Sequence, residues 1–435
     1  LLVLISIILI IYLTSRLKLN AFVSLFLVSL FLAVTALPDA DILKILKEGF
    51  GNTMGSIGFL IIFGAIIAIV LEKSGGALSI ANYMYSKTGK EKAPAAMGLT
   101  GFVAGLPIFC DSGYIILSGL AKSFSARAKV SMPFIAAVMG CSLFAVHCLV
   151  PTHPGALAAS ETMKVNIGYL ILAGTVFAVP GVLAAYFWAK KMTNGKGYEP
   201  AKTEGDDTQI NKDLPPVGIA LLPIVVPLAL ITVSSLAGIL GYKDQNMFIR
   251  SIHLVGQPVF ALLTGVLCSF LLLKNKGITQ LNSVFETAIE KAGPILIVTA
   301  AGGMFGAVIK ETGIGAEAGN FLGGTGLGLV IPFLLAAFMK TAQGSSTVAI
   351  ITAASFVEPM IVQLGLDSEM GRLFATLAMG AGSMLISHAN DSYFWVVTKF
   401  SGIDTDVSLK VYSTSTLVMS VTVFICIWLT SFFIL

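Results

Sequence analysis

The sequence predicts an all-α polytopic membrane protein: about ten transmembrane helices plus two opposed re-entrant hairpins, arranged as an inverted repeat. Three observations carry that prediction. Of the 435 residues 56% are hydrophobic and only 11% charged, whereas soluble globular chains carry about 25% charged residues. Apolar runs approaching the ~20 residues that cross a bilayer occur at 1–14, 19–37, 56–72, 132–150, 168–189, 216–241, 256–273, 293–309, 371–387 and 411–435; they are continuous, not alternating, which excludes a barrel. Two further apolar stretches are each interrupted in the middle by polar residues and glycine.

The first run begins at Leu1 with no cleavage-site pattern, so it reads as part of a membrane span and not as a removable signal peptide. Cys110, Cys141, Cys148, Cys268 and Cys426 lie in or near apolar segments without CxxC or paired spacing, and read as buried thiols. Alternating sides along the spans puts nineteen of the 27 Lys and Arg on one face and eight on the other. The positive-inside rule makes the richer face, which includes Lys291, cytoplasmic. The net charge of +4 says little about partners, and no cofactor or nucleic acid is called for.

The polar, turn-rich stretch 190–215 reads as a flexible cytoplasmic linker between a first repeat, 1–189, and a second, 216–435. At an offset of 238 residues, Gly64, Val70, Gly75 and Asn82 match Gly302, Val308, Gly313 and Asn320. Each copy is followed by an interrupted apolar run. The first, 98–124, breaks at "PIFCDSG"; the second, 328–359, breaks at "KTAQGSS". Their limbs are too short to cross, so each is expected to enter and leave on one side. The hairpins are placed at about 94–123, facing the cytoplasm, and about 325–359, facing outward.

The span after each hairpin stops at a polar break, "AVHCLVPTHPG" (145–155) and "LISHANDSYF" (385–394). Non-helical backbone at membrane depth survives only where protein or water satisfies it, so four breaks predict a shared polar cavity. A hairpin tip exposes the N-terminus of its second limb, whose free N–H groups favour an anion. Ser112 and Gly113 at the first tip, and Gly344, Ser345, Ser346 and Thr347 at the second, are candidate ligand contacts; the plainer role of the hydroxyls is helix capping.

Ionisable groups inside a membrane are costly and point to function. Asp111 sits where an anion would dock; ionised it repels one and protonated it does not, which is a coupling device. Otherwise it is an N-cap. His147 and His153 bracket one break, and His388 and Asp391 occupy the other. These are candidate proton-relay residues, although buried histidines are commonly structural. Lys340 either lends positive charge to the cavity or snorkels to the outer surface, and His253 reads as a surface residue. No HExxH or comparable metal spacing and no Walker A pattern occurs, so neither metal catalysis nor ATP drive is expected. "GGTGLG" (323–328) lacks a preceding strand and reads as a loop.

Taken together, "FVAGLPIFCDSGY", "HCLVPTHPG", "QGSSTVAIITA" and "SHANDSYFW" resemble the gluconate permease family of bacterial sugar-acid symporters, within the wider ion transporter superfamily, over essentially the whole chain. The resemblance implies proton-coupled import of gluconate or a related hydroxy-carboxylate through the inner membrane, by an elevator mechanism in a lipid-embedded homodimer. It implies substrate contacts from Ser112, Ser345, Ser346, Thr347 and Asn390. Proton coupling then falls to Asp111, His388 and Asp391, with His147 and His153 next. The family usually has glutamate in a "YEVGF"-like first tip and "LGSATVA" at the second, where this chain has "CDSGY" and "QGSSTVA". Gluconate, glycerate, another aldonate and a polar amino acid such as serine therefore stay open as substrates. Sodium is the alternative coupling ion, and a channel or membrane receptor the alternative class.

Overall fold

A computed structural model of the chain describes residues 2–88, 93–201, 214–239, 247–273, 277–313, 328–389 and 391–435. Among the described residues every regular element is helical. The N-terminal elements are α1 (Leu2–Ile11), extended by a π-helical turn Tyr12–Arg16, then α2 (Ala21–Ala36), α3 (Ile42–Lys73) and α4 (Gly76–Thr88). The first helix pair is α5 (Ala93–Gly105) and α6 (Cys110–Ala128), followed by α7 (Met132–Leu149), α8 (Pro154–Thr162) and α9 (Ile167–Thr193). The second half holds α10 (Val217–Ile239), α11 (Met247–Val255), α12 (Pro258–Ser269) and α13 (Ile278–Glu311). Its own pair is α14 (Val330–Gln343) and α15 (Ser346–Val357), followed by α16 (Glu369–Gly382) and α17 (Ser392–Ser401). Last, α18 (Thr405–Ser408) runs through a π-helical segment, Leu409–Ser413, into α19 (Thr414–Ile434).

Among the described residues each of the ten predicted apolar runs lies mainly on helix, although 371–387 leaves its helix at Gly382, and the helices do not stop where the hydropathy does. The runs 56–72 and 293–309 are only the inner parts of α3 and α13, which are 32 and 34 residues long. Six described helical segments are long and apolar enough to cross a membrane, or seven if α11 and α12, bent by 72° at their junction, count as one. Apolar side chains such as Val176, Leu183 and Phe187 of α9 and Phe432 of α19 stay exposed, the pattern of a chain solvated by lipid.

Two close helix crossings organise the interior, and both depend on glycine. Where α3 crosses α13, a Cβ on Gly303 would lie 1.8 Å from Thr53 Oγ1 and one on Gly49 would lie 2.8 Å from Met304 Cα. Where α5 lies on α7, a Cβ on Gly98 would meet Val138 at 2.8 Å and one on Gly101 the Met139 carbonyl at 2.9 Å. Small residues let membrane helices approach backbone to backbone. As a result α7 is sealed among its neighbours, with His147 its least buried residue.

α3 and α13 carry the sequence echo and end alike, Gly75 and Gly313 taking φ of +75° and +64° just beyond them. Asn320 and most of "GGTGLG" lie outside the described residues. The stretch predicted as a linker is narrower than its sequence suggested. α9 continues to Thr193, and the chain after it docks, with Met132 N donating to Glu199 O (3.1 Å) and Ala201 N to Ser125 Oγ (2.9 Å); residues 202–213 lie outside the described set. Cys110, Cys141 and Cys148 are buried thiols, while Cys268 and Cys426 are only half-buried. His253 is half-buried on α11, its Nδ1 3.4 Å from Ser234 Oγ, and so is not a simple surface residue.

Candidate functional site

Both predicted breaks are real interruptions of helix. In the first, residues 106–109 separate α5 from α6, and Phe109 is the N-cap residue of α6. In the second, Gly344 closes α14 at φ +86° and Ser345 opens α15, its Oγ accepting from Val348 N at 3.3 Å. A Cβ is disfavoured at that φ, so glycine makes the two-residue turn possible. The later breaks open helices too: His153 precedes α8 without a side-chain cap, and Asp391 caps α17 by accepting from Tyr393 N at 3.0 Å.

Four helix N-termini therefore meet around one cavity of about 400 Å³, lined by residues from α6, α8, α15 and α17 with walls from α7 and α13. That volume is in the range of small-molecule sites, and converging N-termini favour an anion. Asp111, Ser112, Ser345, Ser346, Thr347, His147 and Asp391 all line it. Asp111 Oδ1 is buried without a hydrogen-bond partner, an arrangement that a proton or a ligand donor would satisfy.

Asp391 is differently placed. Its Oδ2 accepts from Lys340 Nζ at 2.7 Å and from Ser387 Oγ at 2.5 Å, and its Oδ1 takes the Tyr393 amide. Lys340 is fully buried, also donates to the Gly344 carbonyl at 2.6 Å, and stands 5.2 Å from the centroid of the Phe144 ring. Lys340 thus does not snorkel to the outer surface: a buried ammonium persists only with such compensation. Ser387 is held in turn by α19 and the π-helical segment before it, its N donating to Thr416 Oγ1 (3.1 Å) and its carbonyl accepting from Ser413 Oγ (2.5 Å).

The histidines divide. His147 faces the cavity, with Nε2 3.4 Å from Thr347 Oγ1 and Nδ1 buried and unpartnered. His153 stands behind it, ring centroids 4.8 Å apart, with Nε2 2.7 Å from the Gly105 carbonyl at the end of α5. The two rings thus touch the second tip and the first limb respectively. His388 is not among the lining residues; its Nε2 is 3.3 Å from the Thr341 carbonyl. Gly113 packs against Leu143, and neither it nor Gly344 is among the residues lining the cavity. Asn390 falls outside the described residues.

Sequence reasoning missed Lys291. Counted only among the residues of the cytoplasmic side and given no role, it lies well inside α13 and lines the cavity with Pro294, Ile295 and Val298. Its Nζ is 3.1 Å from Glu72 Oε2 and 3.4 Å from Ser112 Oγ. The signal was the spacing 291, 294, 295, 298, one face of a helix. No cluster of three metal-ligating side chains occurs among the described residues.

Comparison with known proteins matches residues 1–433 to the GntP family permease family. The inner membrane permease YgbN of Escherichia coli K12 is 32% identical, covering 97% of this chain and 96% of that protein. The high-affinity gluconate transporter of the same strain is 29% identical, covering 96% and 95%. Among solved structures, MtrF of Neisseria gonorrhoeae, described as one of a class of antimetabolite efflux pumps, superposes with a TM-score of 0.65 over 96% of each chain at 14% identity. That likeness concerns the fold alone.

Proposed function

The chain belongs to the GntP permease family, a family of multi-pass inner membrane transporters and not of enzymes, and from that premise we propose that it imports gluconate or a related small hydroxy-carboxylate together with protons. The observation that carries this reading is Asp111, with one carboxylate oxygen buried and unpartnered, in the lining of a cavity where four helix N-termini converge. N–H groups and the hydroxyls of Ser345, Ser346 and Thr347 suit a substrate with one carboxylate and several hydroxyls. A bare Asp111 opposes that anion and a protonated one can donate to it, so binding and protonation favour each other.

In this reading the two helix pairs are re-entrant hairpins, 1–189 and 216–435 are inverted repeats, and the hairpins with their following breaks move as one body. Spans 1–72 and 168–273 form the scaffold of a homodimer. Ten crossings result if α1, α2 and α16 span beside the six long helical segments and the bent α11–α12 pair. Desolvating an uncompensated anion is prohibitive, and one proton per carboxylate removes that obstacle. Sodium coupling centred on Asp391 is less well supported, because Lys340 already holds that carboxylate. Asp391 is then a partner for charge, and Asp111 with His147 forms the proton-handling group.

The test is uptake of radiolabelled gluconate into proteoliposomes under imposed pH and sodium gradients, with glycerate and serine as competitors. The expected result is accumulation driven by an inward proton gradient in the wild type, lost in Asp111→Asn. Accumulation driven by sodium alone, at any pH gradient, sinks the proton reading.

A further inference from the structure

Lys291 is the only Lys or Arg lining the cavity among the described residues, and the reading above gives it no task. Its partner Glu72 sits at the end of α3, and the two side chains are 36% and 33% exposed, so water reaches both. An ion pair in that setting is held weakly, because solvent screens it. An ammonium has three donors; one points to Glu72, a second lies at long range from Ser112 Oγ, and the third has no assigned partner.

Two other lysines show what a committed one looks like. Lys340 is dry, clamped between Asp391 and the Gly344 carbonyl. Lys73, next to Glu72, is spread over Ser283 O, Ser283 Oγ and Thr287 Oγ1 at 3.1 to 3.3 Å and does not line the cavity. Lys291 is the cation with spare capacity, and it stands beside Ser112 at the first tip, adjacent in sequence to Asp111.

We infer that Lys291 determines anion specificity: its ammonium exchanges Glu72, a stand-in partner, for the carboxylate of the substrate. The inference rests on the hydroxy-carboxylate reading. A carboxylate entering the cavity expels the water that screens the Glu72 pair, so the new pair forms in a lower dielectric and is the stronger one. The hydroxyl-bearing end of the substrate then falls to the serines and threonine of the second tip. Glu72 competes with the substrate for the same ammonium, which sets how readily the anion leaves.

The experiment compares wild type, Lys291→Gln, Lys291→Arg and Glu72→Gln in proteoliposomes. It measures gluconate KM and kcat, and the inhibition constants of gluconate and of the uncharged polyol glucitol. Lys291→Gln is expected to raise the gluconate KM about 10- to 100-fold, the weight of one charge-assisted hydrogen bond, with kcat changed far less and glucitol inhibition unmoved. Lys291→Arg restores most of the affinity, and Glu72→Gln lowers the gluconate KM.

An unchanged gluconate KM in Lys291→Gln, or equal losses for gluconate and glucitol, overturns the inference while the symporter reading stands. If Lys291→Gln does not fold, Glu72→Gln decides: an unchanged or raised KM overturns the exchange of partners. Wild-type vesicles that take up no hydroxy-carboxylate overturn the symporter reading and this inference with it.

Discussion

At the first tip, Asp111 lines the cavity and keeps one buried oxygen without a partner, and the lysine beside it is a third exposed and loosely paired. At the second tip, Lys340 is dry, and its contacts with Asp391 and the Gly344 carbonyl stitch the turn to the break 51 residues further on. Both are helix–break–helix units with a charge at the break. The difference lies in the charges: Lys340 at the second break is paired with Asp391, as a strut must be, and Asp111 at the first keeps an oxygen unpaired, as a group that exchanges partners must.

The largest effect should come from breaking the strut. Lys340→Met alone leaves Asp391 buried without its counter-charge and should cost about 3–5 kcal/mol, read as loss of the folded, monodisperse fraction in detergent and a lowered melting temperature. Adding Asp391→Leu should recover most of that stability while leaving the tip unanchored, because replacing both members of a buried pair is often near neutral. A Lys340→Met protein that melts like wild type would erase the contrast between the tips.

His153→Ala probes the joint behind the first unit. It removes the partner of the Gly105 carbonyl at a fully buried position, and an unsatisfied buried group costs about 1–3 kcal/mol. The melting temperature should fall with substrate affinity retained, since His153 does not line the cavity. At the open tip, Asp111→Asn should leave stability nearly intact but remove drive. A gradient of one pH unit supports about tenfold accumulation per coupled proton, and that response should vanish. The smallest effect belongs to Ser345→Ala, which deletes an N-cap worth about 1 kcal/mol; a matched loss of gluconate affinity would show that its hydroxyl also meets substrate.

Much of this was written locally in the chain. The ten apolar runs mark helices because hydropathy is a local property, and Gly344 with Ser345 announces a turn and a cap in adjacent letters. What hydropathy conceals is where a helix ends when it carries charge. α3 and α13 run on past their apolar parts, and Lys291 went unnoticed as a cavity residue for that reason. Pairings across the fold were equally hidden. Nothing local says that Lys340 seeks Asp391, or that His388 turns from the cavity while His147, in the matching break, faces it. Family resemblance supplied the permease assignment, which four short motifs carried and residue chemistry alone left open.

The Lys340–Asp391 pair also governs how the protein is made. Its members are separated by 51 residues, and synthesis at about 5–20 residues per second puts roughly 3–10 s between their emergence from the ribosome. Through that interval α14 carries an uncompensated lysine, for which insertion into lipid alone is unfavourable by about 2.5–3.5 kcal/mol. The expected consequence is that α14 enters the bilayer stably only together with α17, so the second half should insert as a group.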